Sequence, residues 1–277
     1  MSVERIAVVG AGVMGAGIAQ VLAIAGYEVH LSDVSADAIG AALERIERGR
    51  FGLARAVERG LLDRQAADAA LTRITPSDGP PPVDVDLVVE AVFEDLEVKL
   101  GVFRGLDARL QPSAIFASNS SGFPASVLAG ATTRPGEVLV WHFASPVPVM
   151  PLAEIVVTPT TTQPTIDAVV EVARTAGKNP IVIKDQPLAW GFVTSRVFAA
   201  VAREADRIVA EGIAQPAQVD QLLKDCFRWP AGPFEMLAST PSNWGDADGE
   251  SLQETRPEQA SVTSFFFPAQ ASKEVSR

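Results

Sequence analysis

The sequence predicts an α/β protein: a doubly wound, mostly parallel sheet with a helical-hairpin insertion, followed by a smaller all-α unit. Three observations predict it. From Ile6 to Ile183, short apolar runs rich in Val and Ile alternate with segments of helical period, as expected of covered parallel strands joined by crossover helices. Gly10, Gly12 and Gly15 stand between the first run and the first helix. After Lys184 the strand pattern ceases and only helical periodicity continues.

Ile6 to Val9 is the first strand, and Met14 to Ala25 a helix closed by Gly26. The segment between them, Gly10 to Gly15, has the spacing of a Rossmann-type phosphate-binding turn. Gly10 permits the tight turn, Gly12 admits phosphate against bare backbone N–H groups, and Gly15 lets the helix pack on the sheet. Val13 and Met14 complete this cofactor-binding turn. Tyr27 to Leu31 alternates as a second strand and delivers Asp33, whose carboxylate would accept hydrogen bonds from the adenosine ribose and repel a 2′-phosphate. The expected cofactor is therefore NAD rather than NADP. The glycine spacing alone also occurs in ordinary turns; strand, helix, second strand and carboxylate in register make it specific.

Ile39, Leu43 and Ile46, then Ala56 to Gly60 and Ala66 to Leu71, continue with helical spacing as a hairpin that turns at Gly60. Its first helix is expected to carry Arg45, Arg48, Arg50 and Arg55, either as a solvated face or as a holder for an anionic substrate tail. Pro76 to Pro82 is a loop. Asp86 to Val92 is a buried strand, Glu94 to Leu110 its crossover helix, and Ala114 to Ala117 a further strand ending at Ser118, Asn119, Ser120 and Ser121. Ligands of open parallel sheets lie off the carboxyl ends of the strands, so this polar cluster is expected to face the cofactor crevice. Val138 to Phe143 and Leu152 to Val157 are strands, Thr165 to Ala176 a helix and Pro180 to Ile183 a strand. The alternation breaks near Asp185, which divides a nucleotide-binding domain (1–184) from a helical one (185–238) with helices at Trp190 to Ala210 and Pro216 to Cys226. From Ser239 periodicity vanishes, and 239–277 reads as a poorly ordered tail.

A net charge of -11 argues against nucleic acid as a partner. The single cysteine, Cys226, rules out an internal disulfide, and two histidines with no CxxC pair make a metal site unexpected. The first strand begins too early to leave room for a signal peptide, and no apolar run reaches the length of a membrane span. A cytoplasmic protein without a membrane partner is expected.

His142 and Glu154 lie on neighbouring strands joined by the loop Ala144 to Pro151, which can bring them into contact. A carboxylate on one imidazole nitrogen fixes the tautomer and raises the basicity of the other, as a proton abstractor requires. A lone histidine in an apolar strand is more often a core residue; the nearby buried carboxylate shifts the reading to chemistry.

Several segments now carry a resemblance: VVGAGVMGAGIA (Val8 to Ala19), DLVVEAVFEDLEVK (Asp86 to Lys99), FASNSS (Phe116 to Ser121), WHFASPVPVMPLAEIV (Trp141 to Val156) and WPAGPFEML (Trp229 to Leu237). Through them the chain resembles the L-3-hydroxyacyl-CoA dehydrogenase family, which includes the 3-hydroxybutyryl-CoA dehydrogenases. The resemblance implies NAD-dependent oxidation of the 3-hydroxyl of an L-3-hydroxyacyl-CoA to the 3-ketoacyl-CoA, or the reverse. It implies His142 as catalytic base, Glu154 as its orienting partner and Ser121 as a hydroxyl bonded to the reacting substrate oxygen. Glu94, Lys99 and Asn119 fall at family positions lining the cofactor and substrate cleft, the hairpin after Asp33 at the element that contacts CoA, and the second domain at the homodimer interface.

The chain also departs from the family. Ser145 stands where the family has Asn in its NPVP motif, and Ser195 where it has Asn in GFxxNR, which leaves Ser195 a catalytic candidate of shorter reach. The DxPGF motif is three residues longer here, spanning Asp185 to Phe192. The family's terminal Phe-Tyr motif has no counterpart, Tyr27 being the one tyrosine, so the second domain looks incomplete and dimerisation is put in question. Two alternatives stay open: a dehydrogenase of a small hydroxy acid lacking CoA, and an NAD-binding protein with impaired catalysis.

Overall fold

A computed structural model of the chain describes residues 2–187 and 189–239. Strands β1 (Arg5–Val9) and β2 (Glu28–Ser32) flank helix α1 (Val13–Ile24), and α2 (Ala36–Arg48), α3 (Leu53–Glu58) and α4 (Arg64–Thr72) precede β3 (Ile74–Ser77). Then come β4 (Leu87–Glu90), α5 (Leu96–Arg109), β5 (Ile115–Ser118), the short α6 (Ala125–Ala129), β6 (Val138–Phe143), β7 (Leu152–Val157), α7 (Gln163–Thr175) and β8 (Asn179–Lys184).

These strands form one eight-stranded sheet in the order β3-β2-β1-β4-β5-β6-β7-β8. All neighbours are parallel except β6 and β7, which run antiparallel. The chain builds outward from β1 to β3, then returns to place β4 on the other side of β1. Diverging connections at that point open a crevice at the carboxyl ends of β1 and β4, where ligands of such sheets bind. The central strands are apolar on both faces because helices cover both: Leu87, Val88, Val89, Ile115, Phe116 and Ala117 are fully buried. Helix α1 is buried from Gly15 to Ala23, which explains its lack of a polar face.

Three features differ from the sequence expectation. The insertion after Asp33 contains three helices rather than a two-helix hairpin, because Gly49 and Gly52 interrupt the chain between α2 and α3. Arg50 and Arg55 accordingly lie beyond the first helix, Arg50 in the connection and Arg55 on α3. Residues 74–77 form a strand although Pro76 lies within it. Among the described residues β3 is an edge strand with β2 as its only partner, so a missing N–H can point off the sheet. The opposite edge, β8, likewise contains Pro180. Finally, the first compact unit continues to Trp190 instead of ending before Asp185. The Asp185 carboxylate accepts from Ala125 N (3.1 Å) and Ser126 N (3.0 Å), capping α6, which ties it to the first unit.

The second unit begins at Gly191 and is described to residue 239. It comprises α8 (Val193–Ala210), α9 (Pro216–Phe227) and α10 (Pro233–Ser239). Buried Asp220 on α9 accepts from Phe234 N (2.9 Å) and Glu235 N (3.0 Å), so one helix caps the next. The Glu235 carboxylate accepts from Gly232 N and pairs with Lys224, which holds it below the usual carboxylate range. This is the local work of the WPAGPFEML segment. The expected poorly ordered tail, from residue 240 onward, lies outside the described residues. No helix among the described residues is long and apolar enough to cross a membrane.

Candidate active site

The turn after β1 fits a dinucleotide diphosphate. Gly10 has φ +105, and a Cβ there would sit 2.5 Å from Ala91 O on the neighbouring strand end; a Cβ on Gly15 would sit 1.8 Å from Gly10 O. Helix α1 has no side-chain cap, and its first backbone bond runs from Ala16 N to Gly12 O. The N–H groups of Val13, Met14 and Gly15 thus have no acceptor among the described residues, at the positive end of the helix dipole. Asp33 reaches this turn from the end of β2: its Oδ2 accepts from Ala11 N (2.7 Å) and its Oδ1 from Ser35 N (3.0 Å).

Beside the turn, the ends of β4 and β5 are joined by a buried polar network. Glu90, 0 % exposed, accepts from Lys99 Nζ (2.7 Å) and Val92 N (2.8 Å) on one oxygen, and from Ser118 Oγ (2.6 Å) on the other. Lys99, 1 % exposed, also pairs with Glu94 at 3.1 Å. Burial disfavours the Lys99 charge, but Glu90 and Glu94 outweigh it and hold the ammonium above the ordinary lysine range. Glu94 in turn accepts from Ser120 Oγ (2.6 Å) and Ser121 N (3.0 Å). Lys99, expected to line the cleft, is buried at this sheet end and paired with both Glu90 and Glu94. Asn119 Oδ1 accepts from Phe143 N (3.0 Å) and so braces β6 beside His142.

On the antiparallel rungs of β6 and β7, His142 stands directly opposite Glu154. His142 Nδ1 lies 2.9 Å from Glu154 Oε2, with the carboxylate 4 % exposed and the imidazole 12 % exposed. The turn between the two strands is clamped by Lys178, which donates to Val147 O and Met150 O. Ser145 is exposed in that turn.

Residues 5–186 match the NAD-binding domain of 3-hydroxyacyl-CoA dehydrogenases, and residues 191–269 match the C-terminal domain. This chain belongs to the 3-hydroxyacyl-CoA dehydrogenase family. The chain is 37 % identical over 239 residues to the mitochondrial hydroxyacyl-coenzyme A dehydrogenase of Sus scrofa, covering 85 % of this chain and 75 % of that protein. It is 36 % identical to a probable 3-hydroxybutyryl-CoA dehydrogenase of Bacillus subtilis, covering 85 % and 80 %. Its fold is similar to the crystal structure of (S)-3-hydroxybutyryl-CoA dehydrogenase from Ralstonia eutropha, with a TM-score of 0.77, 32 % identity, and coverage of 84 % of this chain and 80 % of that one. The family is one of NAD-dependent oxidoreductases, so the cofactor of the glycine turn is NAD. The likeness to its C-terminal domain runs into the segment after Ser239 that composition alone sets apart.

Other residues named from the sequence have local work of their own. In this family member Arg48 pairs with Glu44 (2.9 Å) and Glu47 (3.3 Å), Arg55 with Glu58 (2.6 Å), and Arg50 lies over the Phe51 ring. Ser195 sits in the first turn of α8, where its Oγ accepts from Phe192 N (2.8 Å). Glu90 is the residue that sequence reasoning passed over: it reads as one more position of a buried strand, and only its partners reveal its charge.

Proposed function

We propose that the protein oxidises the 3-hydroxyl of a short-chain L-3-hydroxyacyl-CoA to the 3-ketoacyl-CoA, or runs the reverse, with His142 as the base. The observation that carries this reading is the His142–Glu154 pair on facing rungs. With Nδ1–H donated to Glu154, the lone pair is on Nε2, and that atom takes the proton from the substrate hydroxyl. In the reverse direction the imidazolium returns it, and Glu154 stabilises the positive charge meanwhile. NAD, when bound, supplies the hydride acceptor. Gly10, Gly12, Val13, Met14 and Gly15 would hold its diphosphate and Asp33 its ribose, while Glu94 and Asn119 face the cleft. The Ser121 hydroxyl, on the loop held by Glu94, would bond the reacting oxygen. Ser195 remains a candidate by its family position alone. A cytoplasmic setting completes the reading, and the solution mass decides whether the homodimer of the family forms in this chain.

The test is NADH oxidation with acetoacetyl-CoA, with solution mass measured alongside. His142→Gln should lower turnover by at least about 100-fold while NADH still binds. Undiminished turnover would refute the assignment of the base. Faster turnover of free hydroxy acids than of the thioester would favour a substrate lacking CoA. Tight NADH binding without turnover on any acyl chain length would favour a binding protein.

A further inference from the structure

The network at the ends of β4 and β5 has an odd charge. Every partner of Glu90 is a donor: the Lys99 ammonium, Val92 N and the Ser118 hydroxyl. The Lys99 ammonium and Val92 N can only donate, so the oxygen they share is an acceptor, and the ammonium at 2.7 Å makes an ion pair with this carboxylate. Glu94 is likewise met by donors, at Ser120 Oγ, Ser121 N and Lys99 Nζ. Against these two anions stands one cation, because no second basic side chain pairs with either carboxylate among the described residues. Glu90 is sealed from solvent, whereas the Glu94 side chain is 34 % exposed. The surplus negative charge therefore emerges at Glu94, beside the switch-point crevice and the Ser121 loop.

NAD differs between its two forms by one positive charge on the nicotinamide ring. A fixed negative charge near that ring attracts the oxidised form and is nearly indifferent to the reduced one. We propose that Glu90, Lys99 and Glu94 form a charge triad whose single uncompensated negative charge sets the preference of this pocket for NAD⁺ over NADH. In this triad Glu94 presents the charge, and Glu90 is a positioning residue: it holds Lys99 in the interior and keeps the ammonium from neutralising Glu94 outright. The inference rests on the proposed cofactor site, and its test separates the two.

Dissociation constants for NAD⁺ and NADH are measured separately at one pH and ionic strength by calorimetry, with no substrate present. Glu94→Gln should raise the ratio of the NAD⁺ to the NADH constant at least about threefold, the lower end expected for a unit charge acting through a solvated cleft. Glu94→Asp keeps the charge and should keep the ratio, even if both affinities fall. Glu90→Gln leaves one anion to one cation and should shift the ratio in the same direction as Glu94→Gln; if it fails to fold, the Glu94 pair still decides. Glu97→Gln, an exposed position on α5, the helix that carries Lys99, should leave the ratio unchanged. Equal weakening of both forms in Glu94→Gln, or a shift in Glu94→Asp as large as in Glu94→Gln, would overturn the triad. Failure of the unaltered protein to bind either form would instead overturn the cofactor site on which it rests.

Discussion

His142 and Glu154 meet because of a property of antiparallel strands: residues on facing rungs lie side by side, and their side chains leave the sheet on the same face. Glu154→Gln keeps the size of the side chain but removes the charge that steadies the imidazolium. Its turnover should fall at least about tenfold, with the KM for NADH changed little, as steady-state kinetics would show. A fall confined to KM would assign Glu154 to binding. The pair was legible in the sequence, since an acid and a histidine in adjacent apolar strands have few other uses. Lys99 was legible as important but not as buried, because a helix position one turn in from a strand end can face the crevice or the core. Only the carboxylate of Glu90 below it decides between them.

At the scale of elements, single polar side chains tie together segments distant in sequence. Arg134, ahead of β6, donates to the carbonyls of Asp107 (2.8 Å), Leu110 (3.2 Å) and Gln111 at the end of α5, and pairs with the Asp107 carboxylate at 2.7 Å. Arg134→Ala leaves these groups unpaired and should cost about 3 kcal/mol in chemical denaturation. Burial opposes the Asp107 charge, but hydrogen bonds from Thr133 and Arg134 prevail and hold it below the usual carboxylate range. A depressed folded-state value means that stability is present above the unfolded value and lost as pH falls through the folded one. The stability difference between the protein and Asp107→Asn should thus be constant near neutrality and shrink below about pH 4. In the second unit, Asp220→Ala removes the cap of α10 and should cost about 1–2 kcal/mol, read as a lowered midpoint of thermal unfolding. Strand β3 escaped the sequence reading because proline signals a loop wherever the edge position is unknown. The α6 cap at Asp185 escaped it because the partners are far apart in sequence.

On the scale of the whole molecule, charge is the property that substrate and cofactor meet first. The chain carries a net -11, and both dinucleotide and CoA thioesters are anions. The basic stripe after Asp33 offers little relief, since Arg48 and Arg55 are paired with glutamates of their own helices. Raising ionic strength from about 0.01 M to about 0.15 M should therefore lower the KM for acetoacetyl-CoA by screening repulsion. A KM that rises with salt would show that the arginines steer the substrate after all. The sequence by itself determined the fold class, the NAD turn and the histidine–glutamate pair, because each is written in spacings along one or two neighbouring elements. Only the tertiary structure decided where the first unit ends, which face of α5 holds Lys99, and that Glu90, Glu94, Lys99, Ser118 and Ser120 form one network. Those outcomes depend on which strand ends the sheet order brings together, and hydrophobic periodicity, which is local, does not carry that order.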